Sequence, residues 1–337
     1  MKQSHKIHQL KTLTNQQGIG LLELLISLAI SLFILAGVLQ LLATSTQNTA
    51  SVEGLSRIQE NARYAFSRLE KDIAQAGYMG CFSMAGNQER ITNTLIDETE
   101  PGELNDFSQF VDGTNDSEPG TNASDKMVVR FASIANRFSV VSSSDTQFDL
   151  SGASGLETND IAIVGDCSRA AVFRVTGASD DGQSIRHNSV NDDGDEELTN
   201  LESNIVGTAD ANNVIEGTSL SFVYGGDSAV EYRVDVGAAG GNCNADTPQN
   251  CVLRRGGVEI VEGVEDFQVE YGWEDGGTLF FKEANALTDN EWQLVDRVKI
   301  TATFNSIQNA PTTDGTNLIR RTYARVFLIQ NQLPVTA

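Results

Sequence analysis

One ionisable side chain, Glu23, interrupts the long apolar run over residues 19–39, where the other polar positions are Ser27 and Ser31. A carboxylate is costly in hydrocarbon, so an acid at this place calls for a cationic partner. Cys81, Cys167, Cys243 and Cys251 form a second set of reactive groups. No C-x-x-C pair occurs among them, which removes zinc and thioredoxin-type spacings, and an even count suits two disulfides with three connectivities open. The Asn-Ala-Asp-Thr-Pro-Gln-Asn stretch between Cys243 and Cys251 is turn-rich and closes easily, which favours that pair and leaves Cys81–Cys167 as the other. Asn191, Asp193, Asp195 and Glu202 fall at loop positions 1, 3, 5 and 12 of a calcium hand, yet Glu196 takes the place that needs Gly, and a solvated turn is the preferred reading. His5 and His8 precede the apolar run, leaving His187 as the one imidazole beyond it. No G-x-S-x-G elbow, Walker A loop or H-E-x-x-H motif is present, and the carboxylate pairs sit in turn-like stretches. These residues argue against an enzyme and call for no cofactor.

The elements that position these groups begin with the apolar run itself, which matches one bilayer core at about 1.5 Å per residue. Lys2, Lys6 and Lys11 precede it and no lysine follows closely, an asymmetry that keeps residues 1–18 in the cytoplasm and sends the remainder across the membrane. An ordinary cleaved signal peptide has a shorter core of about 7–15 residues, although Ala43-Thr44-Ser45 offers a passable cut site. A plain signal anchor has the same outline. Neither accounts for an acid near the start of the span. A cut between Gly18 and Ile19 would create an α-ammonium group with Glu23 at the fifth position from it, and so supply the missing cation. Farther on, Val52, Leu55, Ile58, Ala62, Ala65, Leu69, Ile73 and Ala76 recur at steps of three and four, so the helix is expected to continue to Gly77 as its stop. Its amphipathic half then faces the protein's own sheet. Gly37 and Gly54 are soft points, each costing about 1 kcal/mol relative to Ala.

The chain has 337 residues and a net charge of −23, enough length for an anchor plus a body with its own core. Such an acidic surface repels phosphate backbones, and no nucleic-acid partner is expected. Alternating runs at 126–131, 160–164, 171–175, 220–224, 229–234, 267–271, 297–303 and 323–328 read as strands. Tyr224, Tyr232, Phe267, Tyr271 and Trp273 on these runs are expected to pack in a core or on a sheet face. Residues 98–124 and 180–213, rich in Asp, Asn, Gly, Ser and Thr, read as mobile surface loops. The fold class is α+β: one long N-terminal hydrophobic helix against an antiparallel, sheet-rich globular domain.

Gln17-Gly18-Ile19-Gly20-Leu21-Leu22-Glu23 resembles the type IV prepilin motif, with Ile19 where Phe is commoner. The resemblance implies that a prepilin peptidase cuts after Gly18 and methylates Ile19, and that Glu23 neutralises the terminal amine of a neighbouring subunit during assembly. It also implies an organisation of leader (1–18), transmembrane or filament-core half-helix (19–45), amphipathic half-helix (46–77) and globular domain (78–337). The segment from Arg68 to Cys81, the pair of segments at 159–168 and 173–176, and residues 261–272 are similar to PilW-type minor pilins in the same order. That narrower resemblance implies a minor pilin that starts in the inner membrane with its body in the periplasm. It would then join other minor pilins and the major pilin near the tip of a cell-surface pilus and help to prime assembly, with a PilY-type tip adhesin as a further partner. The N-terminal motif alone also fits a type II secretion pseudopilin. A surface-exposed binding module for adhesion or DNA uptake is the reading from a different class.

Overall fold

The computed structural model describes residues 20–80, 82–83, 91–95, 107, 109–120, 123–132, 137–165, 170–188, 200, 222–225, 229–307 and 318–332. The chain divides into two compact units, Met1–Val52 and Glu53–Ala337. The helix α1, Leu21–Gln75, runs from the first into the second, continuous through Gly37 and Gly54.

Over residues 21–39 α1 is apolar on every side apart from Glu23, Ser27 and Ser31, and its large side chains are exposed all round, Leu21 and Phe33 each at 80%. Ser27 Oγ donates to Glu23 O and Ser31 Oγ to Ser27 O, both at 2.7 Å. The two hydroxyls are thus satisfied by their own helix, as a hydrocarbon environment requires.

In the second unit the expected three-and-four spacing becomes a packed stripe: Ile58, Ala62, Ala65, Phe66, Leu69 and Ile73 are all buried. Gly54, expected as a soft point, is a close-packing position instead, since a Cβ there would lie 3.3 Å from Ser306 Cβ. The helix stops where the sequence places its breaker. Gly77 adopts φ +71°, a left-handed conformation that glycine takes without a steric cost. Its N–H donates to Arg130 O at 2.9 Å, and Asn331 Nδ2 donates to Ala76 O at 3.0 Å, so both helix-end groups find partners.

The strands of the body follow in order. They are β1 (Tyr78–Met79), β2 (Phe82–Ser83), β3 (Ile91–Asn93), β4 (Val111–Glu118), β5 (Ser124–Arg130), β6 (Arg137–Ser143), β7 (Gln147–Leu150), β8 (Ile161–Gly165) and β9 (Ala170–Arg174). Then come β10 (Gly177–Ala178), β11 (Ser184–Arg186), β12 (Phe222–Gly225), β13 (Ala229–Val236), β14 (Cys251–Arg255) and β15 (Val258–Glu262). The chain closes with β16 (Val264–Asp275), β17 (Thr278–Glu283), the one-turn helix α2 (Asp289–Trp292), β18 (Arg297–Asn305) and β19 (Arg320–Leu328). Apart from the β1–β2 pair they form three sheets, ordered β10-β11-β7-β6-β12-β8-β9-β3, β15-β14-β13-β5-β4 and β17-β16-β18-β19. Among the described strands the pairing is antiparallel except between β3 and β9, and an isolated parallel bridge joins Gly120 and Asn244. A long helix on antiparallel sheet is the α+β class expected.

Two cores result. The larger joins the α1 stripe to β5, β13, β16 and β18 through Met127, Val129, Tyr232, Phe267, Ile300 and Phe304. The smaller lies on the eight-stranded sheet around Phe148, Val164, Phe173 and Ile185. The loop reading of 98–124 needs correction, because β4 occupies its middle with Val111, Asp112 and Gly113 buried. Its polar composition concealed a strand whose Asp112 pairs with the fully buried Arg130 at 3.2 Å. Within 180–213, β11 is likewise a strand rather than loop.

Candidate functional site

Glu23 lies in the first turn of α1 with its side chain exposed. No ion pair involves it among the described residues; its backbone carbonyl accepts from Ser27 Oγ at 2.7 Å. The apolar window around it is long enough to cross a membrane by length and composition, and none of that window is buried. A carboxylate flanked by exposed Leu21, Leu22, Leu24 and Leu25 can do one kind of chemistry: accept a cation brought by another group once water is excluded. Gly18 and Ile19, the expected cut site and methylation site, lie outside the described residues.

A second acid on the same helix has the opposite surroundings. Asp72 is buried, and its Oδ2 accepts from the Tyr232 hydroxyl at 2.6 Å and from Arg255 Nε at 2.5 Å, with Arg68 at 3.9 Å. Burial and then the neighbouring Asp72 charge push the Tyr232 hydroxyl pKa up, so it remains a donor. This network locks the end of α1 to β13 and β14. The hint in the sequence was an acid directly beside Ile73 on the apolar stripe.

A third acid, Glu265, is placed by a β-bulge between Val264 and Asp266 that breaks the pleat alternation and turns this carboxylate inward. Arg320 Nε donates to its two oxygens at 2.8 and 3.0 Å, and Asn305 Nδ2 donates at 3.2 Å. Burial raises the pKa of Glu265, with Arg320 and Asn305 opposing. The bulge leaves no trace in a simple alternating pattern, so the sequence reading missed this residue.

Cys243 and Cys251 are joined by a disulfide, and the loop they close carries a bond from Asn305 Nδ2 to Pro248 O at 3.0 Å. Cys81, Cys167 and the calcium candidates Asn191, Asp193, Asp195 and Glu202 lie outside the described residues. His187 is buried, its ring 4.5 Å from Phe148 and 5.6 Å from Phe173, a core position rather than a solvent-facing base. Tyr232, Phe267, Tyr271 and Trp273 are buried as expected; the Tyr224 side chain lies outside the described residues.

No curated protein matches this chain, and no solved structure does. Residues 254–325 match the family model described as Type IV Pilus-assembly protein W. That stretch begins at the end of β14 and takes in β15, β16, β17, α2, β18 and most of β19, and so includes the bulge, Glu265 and Arg320. The match supports the PilW family, and over this sheet the chain is similar to proteins of type IV pilus assembly.

Proposed function

We propose that this chain is a minor pilin of the type IV pilus, an assembly component rather than an enzyme. The observation that carries the reading is the match of residues 254–325 to the pilus-assembly family. An N-terminal stretch of α1 that is apolar all round, with one acid near its start that has no ionic partner among the described residues, supports it. In this reading a prepilin peptidase cuts after Gly18, Ile19 becomes the methylated N-terminus, and the helix leaves the inner membrane for the filament. Once there, Glu23 accepts the terminal ammonium of a neighbouring subunit, because a charge pair excluded from water is worth far more than the same pair in solvent. The other minor pilins and the major pilin are the partners, a PilY-type tip adhesin is a further one, and the place of action is the priming complex near the tip.

The test is mass spectrometry of the mature N-terminus from cells that make pili. A chain beginning at N-methylated Ile19 is expected. An intact Met1, or a start near Thr46, would overturn the reading in favour of a signal anchor or a secreted domain.

A further inference from the structure

A cleft of about 480 Å³ opens in the body between β4 and the connection from β17 to β18, lined by Thr114 and Asn115 on one wall and by Asn285, Leu287, Asp289 and Trp292 on the other. That size falls within the range of small-molecule sites, about 300–1,000 Å³. β4 is an edge of its five-stranded sheet, so its outer backbone groups face away from any ladder partner. Trp292 is half-buried and rests against Tyr271, ring centroids 4.6 Å apart, which fixes the indole as a wall.

Two buried oxygens next to the lining have no hydrogen-bond partner among the described residues: Asn115 Oδ1, and the hydroxyl of Tyr271, which lies behind Gly113 and is not itself part of the lining. The hydroxyl abuts Gly113, where an added Cβ would meet it at 2.5 Å and Lys126 O at 2.1 Å. A buried polar atom left unsatisfied costs about 1–3 kcal/mol, and native structures tend to keep such atoms where a bound polar group or water is housed.

The lining selects the ligand. It holds one carboxylate and no Lys or Arg, in a chain of net charge −23, so phosphates, sulfates and acidic sugars are repelled. No group of three or more His, Cys, Asp or Glu among the described residues is placed to hold a metal ion. The exposed amide of Asn285 both donates and accepts, Asp289 accepts from hydroxyls, and the Trp292 face and Leu287 take C–H groups. Alternating hydroxyl and C–H surfaces are the signature of a sugar ring. We propose that this cleft is a binding site for a neutral pyranose. A single carboxylate leaves the acid and base pair of a glycosidase incomplete, so the site captures its ligand without cleaving it. The inference does not rest on the pilus reading, because the cleft lies wholly within the body.

The experiment uses the full chain in a detergent without a sugar headgroup. It is titrated with the methyl glycosides of glucose, galactose, mannose and N-acetylglucosamine, followed by tryptophan fluorescence and saturation-transfer NMR. Saturable binding of at least one sugar is expected, weakened tenfold or more by Trp292→Ala and by Asn285→Ala. Asn285 is exposed, so its variant keeps the test sound if removing the indole disturbs folding. The proposal is overturned if no sugar saturates, or if binding survives Asn285→Ala undiminished. Binding of tetramethylammonium with no binding of any sugar would also overturn it, reassigning the cleft to a cation.

Discussion

In the first part of α1, Leu21, Phe33 and Leu41 are 80%, 80% and 72% exposed, whereas farther along Ile58, Leu69 and Ile73 are 1%, 1% and 0% exposed. One helix, one backbone conformation, and two opposite fates for aliphatic side chains. The later segment carries its apolar residues as a stripe, and the protein's own sheets cover that stripe. The earlier segment is apolar all round, a pattern no single sheet could cover, and it is long and apolar enough to cross a membrane. The acids repeat the contrast. Asp72 has Tyr232 and Arg255 within hydrogen-bond reach, while Glu23 has no ionic partner among the described residues. A carboxylate that folding has already paired serves stability; one that folding leaves unpaired in an apolar field is the one on which the proposed encounter with a neighbouring subunit rests.

The sharpest way to break this comparison is to remove each acid in turn. Asp72→Ala strands the Arg255 guanidinium, 15% exposed, and the buried Tyr232 hydroxyl, and breaking such a buried pair costs about 3–5 kcal/mol. Denaturant unfolding of the full chain in detergent measures it, and a loss below about 1 kcal/mol would show that the network is incidental. Glu23→Ala should leave that unfolding curve unchanged, since no described contact of its carboxylate is lost. Cleavage should also be normal, while surface pili fall about tenfold, the effect of losing roughly 1.4 kcal/mol at the assembly step. Normal piliation of this variant would remove the role assigned to the carboxylate, and a drop in body stability would mean that the two halves of the helix are not separable in the way their exposures indicate.

Much of this division was legible before any coordinates. The change from uniform apolarity to a three-and-four stripe marks the two parts of α1, Gly77 marks the stop, and alternating runs mark β5, β8, β9, β13, β16, β18 and β19. The turn-rich segment between Cys243 and Cys251 gave the pair that forms. What stayed hidden shares one cause, pairing between residues remote in sequence. Asp72 meets partners 160 and 183 residues away, and no local period encodes them. β4 has the composition of a loop, since Asp112, Thr114 and Asn115 are residues that water solvates well, yet Asp112 is held by the buried Arg130. Glu265 turns inward only because a bulge shifts the register of β16 on β18. Composition reports what water would do with a residue, and these three are places where another part of the chain stands in for water.

Glu265 offers the smallest effect and extends the contrast to a third carboxylate, one that is paired and still carries a cost. Burial raises its pKa above the ordinary value of 4.5, outweighing the opposing pull of Arg320. The sign follows from linkage: a native state that holds the proton more tightly than the unfolded chain is favoured at low pH. The stability from this group is therefore fully present below the unfolded pKa, near 4.5, and is lost as pH rises through the folded value, after which it stays level. Glu265→Gln cannot titrate. The difference in unfolding free energy between the natural chain and this variant should accordingly fall as pH is raised from about 4 toward neutrality and then flatten, whatever the two absolute stabilities are. A difference that rises over the same window would mean that Arg320 dominates over burial and that Glu265 belongs with Asp72, as an acid that the fold wholly compensates.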